Sequence, residues 1–182
     1  SMSGLATVNF STFTALLLYK WENGNFVLDD DENQLSITDG YWGGQYNHDW
    51  ADYDNDGDLD LVSGGISIFD NTNYLTIFKN NNGILLKDTT QTDLIPLFPC
   101  ALIWIDINGD NYKDLLTLGR LQLNGVSHMY INDGMGKLIK SSDQPFEIPS
   151  ILHAISVGDH NSDGYDDIAI AHLNGTEMHT NI

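Results

Sequence analysis

Apolar and polar residues alternate along this chain in short blocks rather than at a helical spacing. Brief runs such as Ala101-Leu102-Ile103-Trp104-Ile105, Leu115-Leu116-Thr117-Leu118 and Ile168-Ala169-Ile170-Ala171 are bounded by Gly, Asn and Asp. Runs of this length, rich in Ile, Leu and Val and closed by turn residues, predict buried strands. No stretch keeps a 3.6-residue period without interruption by Gly, Asn or Asp, so no helix is predicted.

The runs recur with a fixed order. An apolar segment (His48-Asp49-Trp50-Ala51, Ala101 to Ile105, Ala154-Ile155-Ser156-Val157-Gly158) leads into an acidic loop, and a second apolar segment leaves it. A third strand is predicted at Tyr74–Lys79 and at Ser127–Ile131, and a Gly-containing turn leads from each to a fourth at Gly83–Leu86 and Gly136–Ile139. The first aspartates of the loops, Asp52, Asp106 and Asp159, lie one period apart, slightly over 50 residues, which points to propeller blades or solenoid turns. Each unit reads as a four-stranded antiparallel meander, the size of one propeller blade. The expected fold class is all-β, a β-propeller with about three blades per chain. Residues 1–30 supply the outer half of a blade, 40–90 and 98–142 are whole blades, and 150–182 start another that lacks its outer strands.

The composition sharpens this picture. The chain has 182 residues, 22 aspartates against 4 glutamates, and a formal net charge of −19. Such a charge repels nucleic acid and anionic membrane surfaces, so no nucleic-acid partner is expected. No apolar run is long enough for a membrane span. The single cysteine, Cys100, excludes an intrachain disulfide and a cysteine-built zinc site, and is expected to be buried. The start, Ser1-Met2-Ser3-Gly4, has no signal-peptide pattern; Ser1 is read as a cloning remnant and the chain as part of a longer one.

Twelve of the aspartates sit in three loops, 52–60, 106–114 and 159–167. Acids at alternate loop positions turn their oxygens to one side, and calcium takes six to eight oxygens. The candidate ligands are Asp52, Asp54, Asp56, Asp58 and Asp60; Asp106, Asn108, Asp110, Tyr112 and Asp114; and Asp159, Asn161, Asp163, Tyr165 and Asp167. Position 7 of each loop (Asp58, Tyr112, Tyr165) is expected to offer its backbone carbonyl. Position 6 is Gly57, Asn111 or Gly164, and the non-glycine Asn111 predicts weaker binding in the middle loop. Position 12 is Ser63, Thr117 or Ile170, not the bidentate Glu of the helix-loop-helix calcium motif. About three calcium ions per chain are expected, structural in role. Nothing outside the loops pairs a nucleophile with a base, so no enzymatic activity is expected.

Asp52-Tyr53-Asp54-Asn55-Asp56-Gly57-Asp58-Leu59-Asp60-Leu61, preceded by Trp50-Ala51, resembles the FG-GAP/VCBS repeat, the calcium-loop blade of integrin alpha-subunit propellers and of many secreted microbial proteins. The other two loops match more loosely, and the Phe-Gly and Gly-Ala-Pro signatures of the integrin type are not clear. The resemblance implies a propeller, an extracellular or cell-surface setting, and a role in adhesion or in binding protein or glycan. Two alternatives are a self-assembling structural fragment and an accessory domain of a secreted carbohydrate-active enzyme. Family propellers are larger than three blades. A homodimer that exchanges half-blades would close a six-bladed ring; a monomer or another assembly is the alternative.

The remaining aromatic and imidazole residues carry less. Trp50 and Trp104 occupy equivalent places two residues before their loops and are expected to pack between blades. Tyr41-Trp42 is a candidate ligand-contact loop, and the six histidines are expected to be structural.

Overall fold

The computed structural model describes residues 19–28, 47–66, 72–121, 124–143, 152–172 and 175–179. These residues form strands and turns only, and no helix among them is long and apolar enough to cross a membrane. Residues 1–18 and 29–46, among them the candidate contact residues Tyr41-Trp42, lie outside the described residues.

Among the described residues, thirteen strands fall into four antiparallel sheets whose strands follow one another in sequence. A hairpin joins β1 (Tyr19–Glu22) and β2 (Asn25–Leu28). The first four-stranded sheet is β3 (Asn47–Ala51), β4 (Asp60–Ile66), β5 (Asn73–Asn81) and β6 (Ile84–Lys87). The second is β7 (Phe98–Ile105), β8 (Asp114–Leu121), β9 (Asn124–Asn132) and β10 (Leu138–Lys140). The last sheet comprises β11 (Leu152–Gly158), β12 (Asp167–His172) and β13 (Gly175–His179). The expected meanders are thus present, with each acidic loop between the first and second strand of its sheet. The last sheet has three strands rather than the two of a half-unit. Its third strand, β13, pairs with β12 just as β9 pairs with β8. The described residues do not close a ring.

The alternation of side chains decides how the sheets stack. Along β8, Leu115 faces the first sheet, where Tyr53, Val62, Ile77, Trp104 and Tyr130 form one buried cluster. Leu116 and Leu118 face the last sheet and join Ala101, Ile105, Ile168 and Ile170 in a second cluster. A strand buried on both faces reads as a continuous apolar run, as β8 does, because each face of the pleat meets another sheet. Strand β7 lies against β3 and β4 on one side and β11 on the other. Within the sheet, Gly119 of β8 lets the start of β7 approach closely: a Cβ there would lie 2.5 Å from the Phe98 carbonyl oxygen.

The segment after β6 stitches the first two sheets together. Asp88 accepts the Tyr53 hydroxyl at 2.7 Å and the Gln91 side-chain amide at 3.1 Å. Gln91 also donates to the Gly136 carbonyl at 2.6 Å and accepts from the Leu138 amide at 3.0 Å. Tyr130 accepts the Ile95 amide at 2.9 Å.

Trp50 and Trp104 pair with Leu61 and Leu115 in the same register, yet their surroundings differ. Trp104 is buried and stacks on Tyr53, with ring centroids 5.3 Å apart, whereas Trp50 is 41% exposed. The expectation of interblade packing therefore needs correction for Trp50. Trp104 has a loop tyrosine from the preceding sheet beneath it, and no described residue buries Trp50 in the same way.

Candidate metal centre

The three loops fold by one set of hydrogen bonds, dictated by short acidic side chains next to exposed N–H groups. The position 1 carboxylate accepts from the amides of positions 5 and 6. Asp52 takes Asp56 and Gly57, each at 3.0 Å. Asp106 takes Asp110 and Asn111 at 3.2 and 2.8 Å, and Asp159 takes Asp163 and Gly164 at 3.1 and 2.9 Å. The position 5 carboxylate (Asp56, Asp110, Asp163) accepts the amide of position 7 at 2.9 Å in every loop. Charge-assisted bonds of this kind preorganise the turn.

Two left-handed residues alternate in each loop. Position 6 is left-handed at Gly57, Asn111 and Gly164, and position 4 at Asn55, Gly109 and Ser162. Asn111 therefore takes the same conformation as the two glycines, and Gly109 supplies the glycine of the middle loop at position 4. The backbone reason for a weaker middle loop disappears: each loop has one glycine at these two positions.

Position 9 is buried. Asp60 and Asp114 are fully covered and Asp167 is nearly so. Each accepts the amide of position 2: Tyr53 to Asp60 at 3.2 Å, Ile107 to Asp114 at 3.0 Å, His160 to Asp167 at 2.9 Å. The second oxygen of Asp60 takes the Asn80 amide at 2.8 Å, and that of Asp114 the Asn132 amide at 2.7 Å. The side chains of Asn80 and Asn132 donate to the carbonyls of Leu59 and Lys113, position 8 of their loops. These asparagines tie each loop to the third strand, and the reading of the sequence missed them. The signal was present: both stand just ahead of the Gly turn that ends that strand.

The loops differ at position 3. Asp54 brings a carboxylate, and ligand oxygens of Asp52, Asp54 and Asp60 lie within 4.8 Å of one another. This is the only such acidic cluster among the described residues. Asn108 and Asn161 instead donate their amides to Asp110 and Asp163 at 2.9 and 2.8 Å. Asp58 turns its side chain to the Asn82 amide at 2.9 Å, leaving its backbone carbonyl as its means of ligation. One oxygen of Asp54 accepts the Lys79 ammonium at 3.0 Å; the other, Oδ1, is buried and has no hydrogen-bond partner. An unsatisfied buried carboxylate oxygen beside two further carboxylates fits a hard cation.

Neighbouring loops touch. The Asn132 side chain donates to the Tyr53 carbonyl at 2.7 Å, and the Tyr165 ring lies over Gly109. Lys113 stands 3.7 Å from Asp166.

Burial shifts the central acids. Asp60 is pushed up to about 6, chiefly by burial; the Asn80 and Tyr53 amides pull it down, and the charges of Asp54 and Asp56 push it further up. Burial also raises Asp114. A raised carboxylate favours the fold most below its unfolded value near 4, and that contribution is lost as pH rises through about 6. Burial lowers His48 and His128, which work in the opposite direction. The clean test is therefore a difference. In chelator, wild type should lose stability relative to Asp60→Asn between pH 4 and 7, by about 2 kcal/mol. Parallel pH profiles would refute this.

Residues 106–170 match the model of the FG-GAP-like repeat family. The match begins at the first aspartate of the middle loop and includes the third loop. No curated protein matches the chain in sequence.

Proposed function

We propose, from the premise that the chain carries an FG-GAP-like repeat, that it is a calcium-binding propeller-type module acting as a scaffold for protein or glycan ligands. Calcium is structural in this reading, about three ions per chain, and the module has no catalytic role. The carrying observation is the buried, unpartnered Oδ1 of Asp54 beside Asp52 and Asp60, in a loop design that recurs twice. Ligands in each loop would be the side chains of positions 1, 3, 5 and 9 with the carbonyl of position 7. When bound, calcium neutralises carboxylates that otherwise repel one another and holds the first two strands of the sheet together. The extracellular setting belongs to the same proposal, since a millimolar calcium supply suits loops of this kind.

Each ion adds about 2.7 kcal/mol when free calcium is 100 times the dissociation constant. Chelation should therefore lower the melting temperature markedly. Asp52→Ala combined with Asp56→Ala should remove one ion by native mass spectrometry and reduce stability in calcium but not in chelator. An unchanged ion count would end the assignment of the first loop.

A second reading, self-association, is favoured by one feature. The β1–β2 hairpin matches β5–β6 turn for turn, with left-handed Asn23-Gly24 in place of Asn82-Gly83. Tyr19 and Phe26 stand where Phe78 and Leu85 are buried, yet they are exposed, as is Trp21. The same mass spectra report subunit number: a dimer supports exchanged strands, and a monomer removes that reading.

A further inference from the structure

We infer that Lys79 is a built-in counter-cation of the first loop, which weakens that loop's hold on calcium although it is the most acidic of the three. The inference rests on the calcium reading above and concerns how the sites rank.

The first loop is the only one with five aspartates and the only one with an acid at position 3. Among the described residues it is also the only one with a lysine or arginine on the facing third strand. The Asn80 and Asn132 amides donate to equivalent aspartates, so Lys79 and Ile131 occupy matching places, each one residue earlier. An ammonium thus accompanies the extra carboxylate, and an aliphatic side chain accompanies Asn108. The Lys79 nitrogen lies 3.0 Å from Asp54 Oδ2 and 5.4 Å from the centre of the Tyr53 ring. The ammonium is turned to the loop, with the side chain 39% exposed.

Two effects follow, of opposite sign. Lys79 fixes the Asp54 carboxylate and leaves Oδ1 for an ion, which favours binding. It also places a full positive charge beside a site for a dication. A hydrogen bond to one ligand is the smaller effect, because the position 1 and position 9 carboxylates are already held by backbone amides. Repulsion between an ammonium and a doubly charged ion a few ångströms away is the larger, even when solvent screens much of it. The same ammonium neutralises part of the loop when calcium is scarce, so the first loop keeps its shape without metal. The expected order of release then changes: the first loop empties before the middle one.

Amide resonances report each loop separately, because Gly57, Asn111 and Gly164 donate to the position 1 carboxylates. In a calcium titration of the wild-type chain, the Gly57 resonance should move at the highest calcium concentration of the three. Lys79→Met should lower the Gly57 midpoint by about tenfold and leave that of Gly164 in place, while Lys79→Arg, which keeps the charge, should not. A Gly57 midpoint that is unchanged or raised in Lys79→Met overturns the inference, as does a wild-type chain in which Gly57 titrates first. Should Lys79→Met fail to fold, the wild-type order alone decides. If none of the three amides responds to calcium in wild type or variant, the calcium reading itself fails, an outcome distinct from the others.

Discussion

Asp114→Ala should lower the melting temperature by about 10 °C in chelator, and by more in calcium, where a proposed ligand is lost as well. The carboxylate is fully buried and accepts two backbone amides, Ile107 at 3.0 Å and Asn132 at 2.7 Å. Alanine leaves both donors without an acceptor where water does not reach, at about 1–3 kcal/mol each. Relief of the carboxylate's own burial, which raises its pKa, returns part of that. The net is about 3–4 kcal/mol. Asp110→Ala, at an exposed position of the same loop, should cost stability in calcium and little in chelator. The pair of melts separates an aspartate that holds the chain even without an ion from one whose contribution depends on the ion. If Asp114→Ala matters only when calcium is present, its two amide bonds do not stabilise the fold.

Trp104→Ala should be as severe. The indole is buried against Tyr53 at the boundary of the first two sheets, and removing it opens a cavity worth about 3–5 kcal/mol. Trp50→Ala, at the equivalent register position but half in solvent, should cost under about 1 kcal/mol. Denaturant melts of the two variants check this directly. Equal losses would mean that Trp50 is covered in solution, which is what a completed interface on that side of the first sheet would do.

These two cases also mark what was legible in the sequence. Strands β3 to β12 follow from apolar runs bounded by turn residues, and their grouping follows from the period of the aspartate loops, whereas β13, whose sequence Gly175-Thr176-Glu177-Met178-His179 is not an apolar run, does not. Periodicity reports neighbours along the chain well, because a meander pairs each strand with the next. It does not report what lies across a sheet face, so Trp50 and Trp104 looked alike. The candidate ligands were legible one by one, since alternate acids with a turn residue have few other uses. Their unequal roles were not. Burial divides position 9 from the rest, and burial comes from the sheets stacking on either side. Lys79, Asn80 and Asn132 escaped for a related reason: they sit about 20 residues from the loops they serve, on a strand whose pattern announces only a strand.

The sequential order of strands within every sheet has a kinetic consequence. Within a sheet, a chain that pairs each strand with its successor closes short loops, and local pairing of this kind forms quickly. Each sheet can then zip up from its own hairpins, beginning at tight turns such as Asn82-Gly83. Two of the ties between sheets, Asp49 to the Trp104 amide and Asn132 to the Tyr53 carbonyl, span 55 and 79 residues. Mutations in those ties should leave the refolding rate nearly untouched and speed unfolding, because docking of finished sheets comes last.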